Sequence, residues 1–290
     1  MKRIYLVLTT LLLLTCFNLF SIEVGTLFHL SNLDFGKERK ETETDLSGYN
    51  YVWGVSLYGI IPVSDSMYLK IGNFYDPILN NTVYNLIGFE QNYVKILVGP
   101  FFGVWHNDSN LVQSGLSTTV RVDLPGIFFI SFQADSSIGG RLVKEGDYIQ
   151  EKNGVEAGFY APNAICSLAL QTKTYTQELK TSEKVTSFTE YSFKTDVFKK
   201  NVPYRIELTF AYQIQNVDYV TAAATTTHTL NSLVMGTKIT AKLTDSIQYT
   251  FDLESNIYSF GTAEDIVLSL PSSGIGMYLF RASTGVSVQF

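Results

Sequence analysis

The sequence predicts an all-β chain that crosses a membrane as one closed, antiparallel, up-and-down barrel of about 14 strands, with about 12 as the alternative. Three observations predict it. Apolar and polar residues alternate in strand-length segments from residue 22 to the C-terminus. No stretch beyond residue 21 approaches the ~20 apolar residues of a membrane helix. Short and long connections alternate between the segments, the layout of a sheet whose two ends face different compartments.

Composition agrees with an apolar medium. Charged residues are 17 % of the 290 and aromatics 14 %, so much aromatic surface has too little charge to solvate it. The N-terminus reads as a secretory signal peptide. Met1, Lys2 and Arg3 are followed by an apolar run over 5–14 and the small residue Ser21. Cleavage after Ser21 leaves 22–290 as a single barrel domain. An uncleaved anchor and a lipoprotein site at Cys16 are the alternatives; Thr15 fits the second poorly. Removing 1–21 leaves 19 Lys+Arg against 27 Asp+Glu, a net charge of −8 in place of −6. That balance excludes a basic nucleic-acid surface. Cys166 is the one cysteine beyond residue 21, so neither an intrachain disulfide nor a cysteine metal site is expected. No cofactor is expected.

Each strand shows its apolar face in turn. The first carries Ile22, Val24, Thr26, Phe28 and Leu30 against Glu23, Gly25, His29 and Ser31. The second carries Trp53, Val55, Leu57, Gly59 and Ile61, and the third Met67, Leu69 and Ile71. The fourth, near 83–89, is ambiguous in phase. The fifth shows Val94, Ile96, Val98, Pro100 and Phe102; the sixth Leu116, Thr118, Val120 and Val122; the seventh Phe128, Ile130, Phe132 and Ala134. The eighth shows Val155, Ala157, Phe159 and Ala161, and the ninth Ala164, Cys166, Leu168 and Leu170. The tenth shows Tyr191, Phe193 and Val197. The eleventh is among the clearest, with Tyr204, Ile206, Leu208, Phe210, Tyr212 and Ile214 against Arg205, Glu207, Thr209, Ala211, Gln213 and Gln215. The twelfth shows Leu233, Met235, Ile239 and Ala241, and the thirteenth Ile247, Tyr249, Phe251 and Leu253. The last sets Tyr278, Phe280, Ala282, Thr284, Val286, Val288 and Phe290 against Arg281, Ser283, Gly285, Ser287 and Gln289.

Even-numbered strands are followed by short turns near 62–65, 90–92, 123–126, 162–163, 199–202 and 244–246. Odd-numbered strands are mostly followed by longer polar connections: 36–48, 138–153, 177–184, 216–226 and 261–273. Opposite charges fix register. A tight turn over 199–202 puts Asp196 opposite Arg205 and Lys194 opposite Glu207. A turn centred on Asp245 puts Lys238 opposite Asp252. Aromatic clusters near strand ends (Tyr49, Tyr51, Trp53; Phe101, Phe102, Trp105; Tyr258, Phe260; Tyr278) are expected in interfacial girdles.

A spanning sheet must close, because unpaired backbone groups are costly in hydrocarbon. The charges of the opposite face are too many for a dry core, so that face is expected to line a wet lumen.

The chain from 22 onward resembles bacterial outer-membrane β-barrels, and in size and strand count the monomeric fourteen-stranded porins. In that class the final strand, alternating and ending on an aromatic, is an assembly signal read by the barrel-assembly machinery. The resemblance implies this role for Tyr278, Phe280, Val286, Val288 and Phe290. It further implies outer-membrane lipid and small solutes as partners, and a bacterial outer-membrane location. Fatty-acid transporters of this class carry an N-terminal plug, and here the first strand starts almost at the cleavage site.

The expected function is porin-like passage of small hydrophilic solutes or ions through a lumen of mixed charge. The predicted pore-lining residues are Lys194, Asp196, Arg205, Glu207, Lys238, Lys242, Asp252, Glu254 and Arg281. An adhesion barrel acting through its loops and a transporter for hydrophobic molecules are the alternatives. An enzyme is not expected. No GxSxG or HExxH motif occurs, although His29 has Ser31 nearby and could meet Ser283 across the closing seam.

Overall fold

The computed structural model describes residues 22–31, 52–76, 80–105, 111–137, 148–178, 182–199, 202–221, 223–261 and 280–290. They form fourteen strands: β1 (Glu23–Ser31), β2 (Val52–Ser64), β3 (Met67–Asp76), β4 (Asn80–Gln91), β5 (Val94–Trp105), β6 (Leu111–Leu124), β7 (Phe128–Ser137), β8 (Tyr148–Ala161), β9 (Ala164–Glu178), β10 (Ser182–Phe198), β11 (Tyr204–Thr221), β12 (Thr225–Lys242), β13 (Ile247–Gly261) and β14 (Phe280–Gln289). Each pairs antiparallel with its sequence neighbours, and β1 pairs with β14 to close the barrel. The strand count is therefore 14, with β4 and β8 both full members. The expected signal peptide over 1–21, the expected connection 36–48 and Tyr49, Tyr51 and Tyr278 lie outside the described residues.

The seam is as continuous as any other pairing. Glu23 faces Gln289 and the register runs unbroken to Ser31 opposite Arg281. Phe290 N–H donates to Ile22 O at 2.9 Å. At this end the connections are tight. Asn92, at φ 52°, makes the turn between β4 and β5, and Gly126, at φ 77°, lies in that between β6 and β7. Both are residue types that accept the left-handed region.

Two of the expected long connections are instead mostly strand. β9 and β10 are separated by only 179–181, and β11 and β12 by only 222–224. Among the described residues β11 and β12 are the longest strands, each of 18 residues against 9 for β1. Their polar tips concealed the strand pattern. Outward-facing Tyr212 donates to Asn231 Oδ1 at 2.8 Å, and Thr229 to Asn216 Oδ1 at 2.8 Å, so the outer surface turns polar there. Below that level it is apolar: the stretch from Tyr204 to Ile214, at ~3.4 Å per residue and a tilt of ~40°, rises about 25 Å.

Alternation sorts the two faces. Trp53 and Leu168 are each 67 % exposed on the outside. Ser56, Ser117, Asp135 and Gln213 are buried on the inside. Trp53 stacks on Phe28, with centroids 6.4 Å apart, as an outer aromatic pair. Phe101 departs from expectation: it is fully buried on the inner face and is no part of a girdle. Glycine at its facing position explains why the ring fits inward (below).

The two register expectations divide. Lys238 faces Asp252 as expected. On β10 and β11 the pairing is two residues out: Asp196 faces Glu207, Lys194 faces Thr209 and Phe198 faces Arg205. Val202 N–H donates to Lys199 O at 3.1 Å, so the turn over 199–202 forms, but the ladder starts only at Phe198 opposite Arg205, and a shift of two keeps every residue on its face. The Arg205–Asp196 ion pair still forms, as a diagonal contact.

Candidate functional site

Among the described residues, three of the cavities on the inner face stand out. The first, about 220 Å³, is bordered by Lys173, Glu190, Lys194, Gln213, Glu254 and Arg281 among others. The second, about 390 Å³, is bordered by His29, Tyr58, Lys238, Asp252 and Arg281 among others. The third, about 290 Å³, lies against β3 to β8, with Lys70, Tyr84 and Lys152 on its walls. Arg281 belongs to the first and second, Gln133 to the first and third, and Tyr75 to the second and third. The shared residues link all three around the inner wall.

A hydrogen-bonded chain organises the first cavity. Gln213 Nε2 donates to Glu190 Oε2 at 2.8 Å and to Glu254 Oε1 at 3.0 Å. Arg281 donates to Glu254 Oε2 and forms an ion pair with it. The alternation on β10, β11, β13 and β14 points all four side chains inward, and the register brings β13 Glu254 opposite β14 Arg281. One amide thus holds two carboxylates, and one guanidinium neutralises one of them.

The predicted pore-lining residues separate into two groups. Lys194, Lys238, Asp252, Glu254 and Arg281 border the first two cavities. Glu207 lies between Asp196 and Lys238 in the registers of its two neighbouring strands. Asp196 and Arg205 pair near the short-turn end, where Arg205 stays half exposed. Lys242 sits at the turn itself, 3.5 Å from fully exposed Asp245. Asp196, Arg205, Glu207 and Lys242 border none of the three cavities.

The other half of the inner wall is aromatic, and sequence reasoning missed it. Tyr58, Phe74, Tyr84 and Phe101 form a run across β2 to β5, with successive centroids 6.1, 5.7 and 6.0 Å apart. Rings cover glycines of neighbouring strands. A Cβ on Gly25, Gly88, Gly115 or Gly158 would lie within 2.5 Å of the ring of Tyr58, Tyr68, Phe101 or Phe129 respectively. The readable signal is glycine at polar-face positions, which opens room for a ring on the next strand. Lys152 was also missed: the expected connection 138–153 hid it, and β8 includes it from Tyr148 onward.

Of the three histidines, only the side chain of His29 lies among the described side chains. His29 Nε2 lies 2.8 Å from Ser56 Oγ on β2, not from Ser31. Ser283 is its register partner across the seam. Ser56 is 1 % exposed, and its Oγ also accepts from Tyr75 N–H at 2.9 Å, so no substrate reaches it. His106 lies outside the described residues. Among the described residues no cluster of His, Cys, Asp and Glu could hold a metal. Cys166 faces outward beside Thr195, with Sγ 3.8 Å from its Oγ1.

No family model and no curated protein matches the chain. Solved structures do, at low identity. An outer-membrane channel of Pseudomonas putida is 9 % identical, with 93 % of this chain and 95 % of that one covered at a TM-score of 0.48. A loop-deletion form of OmpT, an outer-membrane protein of Vibrio cholerae, is 10 % identical, with 93 % and 99 % covered at 0.45. An anion-selective porin from Comamonas acidovorans is 10 % identical, with 93 % and 98 % covered at 0.38.

Proposed function

We propose that the chain is a bacterial outer-membrane channel, through which small hydrophilic solutes or ions diffuse along a lumen of mixed charge. The observation that carries this reading is the linked set of three cavities on a charged inner face, inside a barrel whose outside is apolar. A soluble barrel would reverse the faces. Here large apolar side chains such as Phe159, Leu168 and Phe210 stand exposed on the outside, while cations and anions cluster within, an arrangement stable only with lipid around it. Inner cations and anions nearly balance, which supports weak ion selectivity. Lys194, Lys238, Asp252, Glu254 and Arg281 are assigned to the narrow part of the path, and Asp196, Arg205 and Lys242 to its mouth at the short-turn end.

The continuous β1–β14 register leaves no gap in that wall for lateral exit of a hydrophobic molecule. Val286 and Phe290, exposed on the outer face of β14, support the assembly role of the last strand. The tall β11–β12 hairpin supports a second, surface-binding role for its tip; shortening the hairpin would abolish that interaction and leave conductance intact. The channel reading is tested in planar bilayers with folded, heat-modifiable protein. Stepwise ion conductance is expected; its absence from well-folded protein would sink the reading.

A further inference from the structure

The first cavity is bordered by six charges of balanced sign: Lys173, Lys194 and Arg281 with Glu156, Glu190 and Glu254. Three of them are engaged. Arg281 is paired with Glu254. Lys173 is buried, with its ammonium 5.5 Å from the centroid of the Phe188 ring. The other three are not paired with one another. Among the described residues no ion pair joins Lys194 to a carboxylate. Glu156 accepts from Ser167 Oγ at 2.7 Å and Glu190 from Gln213 Nε2 at 2.8 Å, so a neutral donor holds each carboxylate.

The register keeps these charges apart. Lys194 faces Ser167 and Thr209, Glu190 faces Gln171 and Gln213, and Glu156 faces Ser131 and Ala169. Glu190 and Lys194 share the inner face of β10 four residues apart, about 13 Å along the strand, and Glu156 is two strands over, about 10 Å across the sheet. The inward positions between them are small: Gly154, Ala169 and Ser192. Rings cover Gly25, Gly88, Gly115 and Gly158, but a Cβ on Gly154 would meet nothing closer than 3.7 Å. The result is an open recess with an ammonium at one end and two carboxylates at the other. A solute with one charge would meet one end only, and a neutral polyol neither. A zwitterion meets both, through charge-assisted hydrogen bonds about twice as strong as neutral ones.

We propose that this recess binds a small zwitterionic solute, of the free α-amino acid class. The ammonium sits between Glu156 and Glu190, over Gly154 and Ala169, and the carboxylate meets Lys194. The assignment rests on the channel reading, since it names a solute that the lumen would hold on its way through.

The test uses the full barrel folded in detergent micelles, with free serine as probe. The comparators are N-acetylserine, which keeps only the carboxylate, serinamide, which keeps only the ammonium, and glucose, which carries neither. Titration calorimetry reads binding without requiring conductance. Serine is expected to bind about tenfold or more tightly than any comparator. Lys194→Met is expected to weaken serine by about tenfold and to bring it level with serinamide, because the carboxylate then has no partner. Glu156→Gln combined with Glu190→Gln is expected to bring serine level with N-acetylserine. Lys199→Gln, in an exposed turn, is expected to change nothing. Ala169→Phe fills the recess with every charge intact and is expected to abolish binding. It also serves where a charge variant fails to fold. Serine held no more tightly than N-acetylserine or serinamide, glucose held more tightly than serine, or serine binding unaltered in folded Lys194→Met or Ala169→Phe protein, would overturn the assignment. Conductance is recorded separately. A conducting barrel that does not bind serine overturns this site and leaves the channel; a barrel that binds serine without conducting overturns the channel alone.

Discussion

Tyr58 lies flat over Gly25, its partner in the β1–β2 register, so closely that a Cβ on the glycine would sit 2.2 Å from the ring. The ring occupies the space that any other residue would need, and its hydroxyl reaches on to Glu23 Oε1 at 3.0 Å. Gly25→Ala forces the ring to move and is expected to destabilise the barrel by about 1–3 kcal/mol. In a Tyr58→Ala background the same change should cost little, because the space is then open. Urea unfolding of the four proteins of this cycle measures the coupling, and additive effects would show that the ring does not depend on the glycine.

Gln213 stands between two carboxylates on the first cavity, donating to both Glu190 and Glu254. Gln213→Leu removes both donors while keeping the volume. Two anions then face each other across an apolar side chain, and a loss of about 1–3 kcal/mol is expected from the unmet acceptors. A channel that still folds should become more cation-selective, since the carboxylates are released to the lumen. Reversal potentials in a KCl gradient report that change, and unfolding midpoints report the stability.

Arg281 and Lys242 separate a cavity charge from a rim charge. Arg281 pairs with Glu254 and borders two cavities, whereas Lys242 is largely exposed beside Asp245. Arg281→Gln should move the reversal potential towards cation selectivity, while Lys242→Gln, screened by salt at the surface, should leave it close to that of the parent. Equal shifts from both would place the selective region at the mouth.

The faces of the sheet were legible in the sequence because hydrocarbon tolerates so few charges. The faces of Lys194, Lys238, Asp252, Glu254 and Arg281 follow from alternation alone, and Lys238 could be set opposite Asp252 from its turn. Register across the 199–203 connection was not legible. The ladder there is two residues out from the register the turn implies, a shift that alternation cannot detect. The aromatic half of the lumen was illegible for a different reason. A rule that sends rings to lipid cannot place Phe101 or Tyr84, whose inward position depends on a glycine of the adjoining strand or on packing against the next ring. That same inward aromatic content, with Leu86, is why β4 showed no clear phase. Lys152 was hidden by its polar neighbours, which read as a connection until pairing with β7 and β9 made them strand.

Phe290 distinguishes assembly from stability. Its ring is 74 % exposed on the outer face, and its backbone N–H gives one hydrogen bond to Ile22 at the seam. Nine further register pairs hold β1 to β14 from Glu23 to Ser31, so deleting the last residue removes little from the finished barrel, about 1 kcal/mol for one exchanged hydrogen bond. If the outward residues Val286, Val288 and Phe290 are the surface that the assembly machinery reads, the same deletion should sharply reduce the folded protein recovered from outer membranes. The fraction that does fold should show unit conductance equal to that of the parent, because the ring points away from the lumen. Yield of heat-modifiable protein from membranes, set beside refolding of the purified chain in detergent, separates the two effects. Parental yield in cells would remove the assembly role from Phe290, and a matching loss in detergent would make its contribution one of stability.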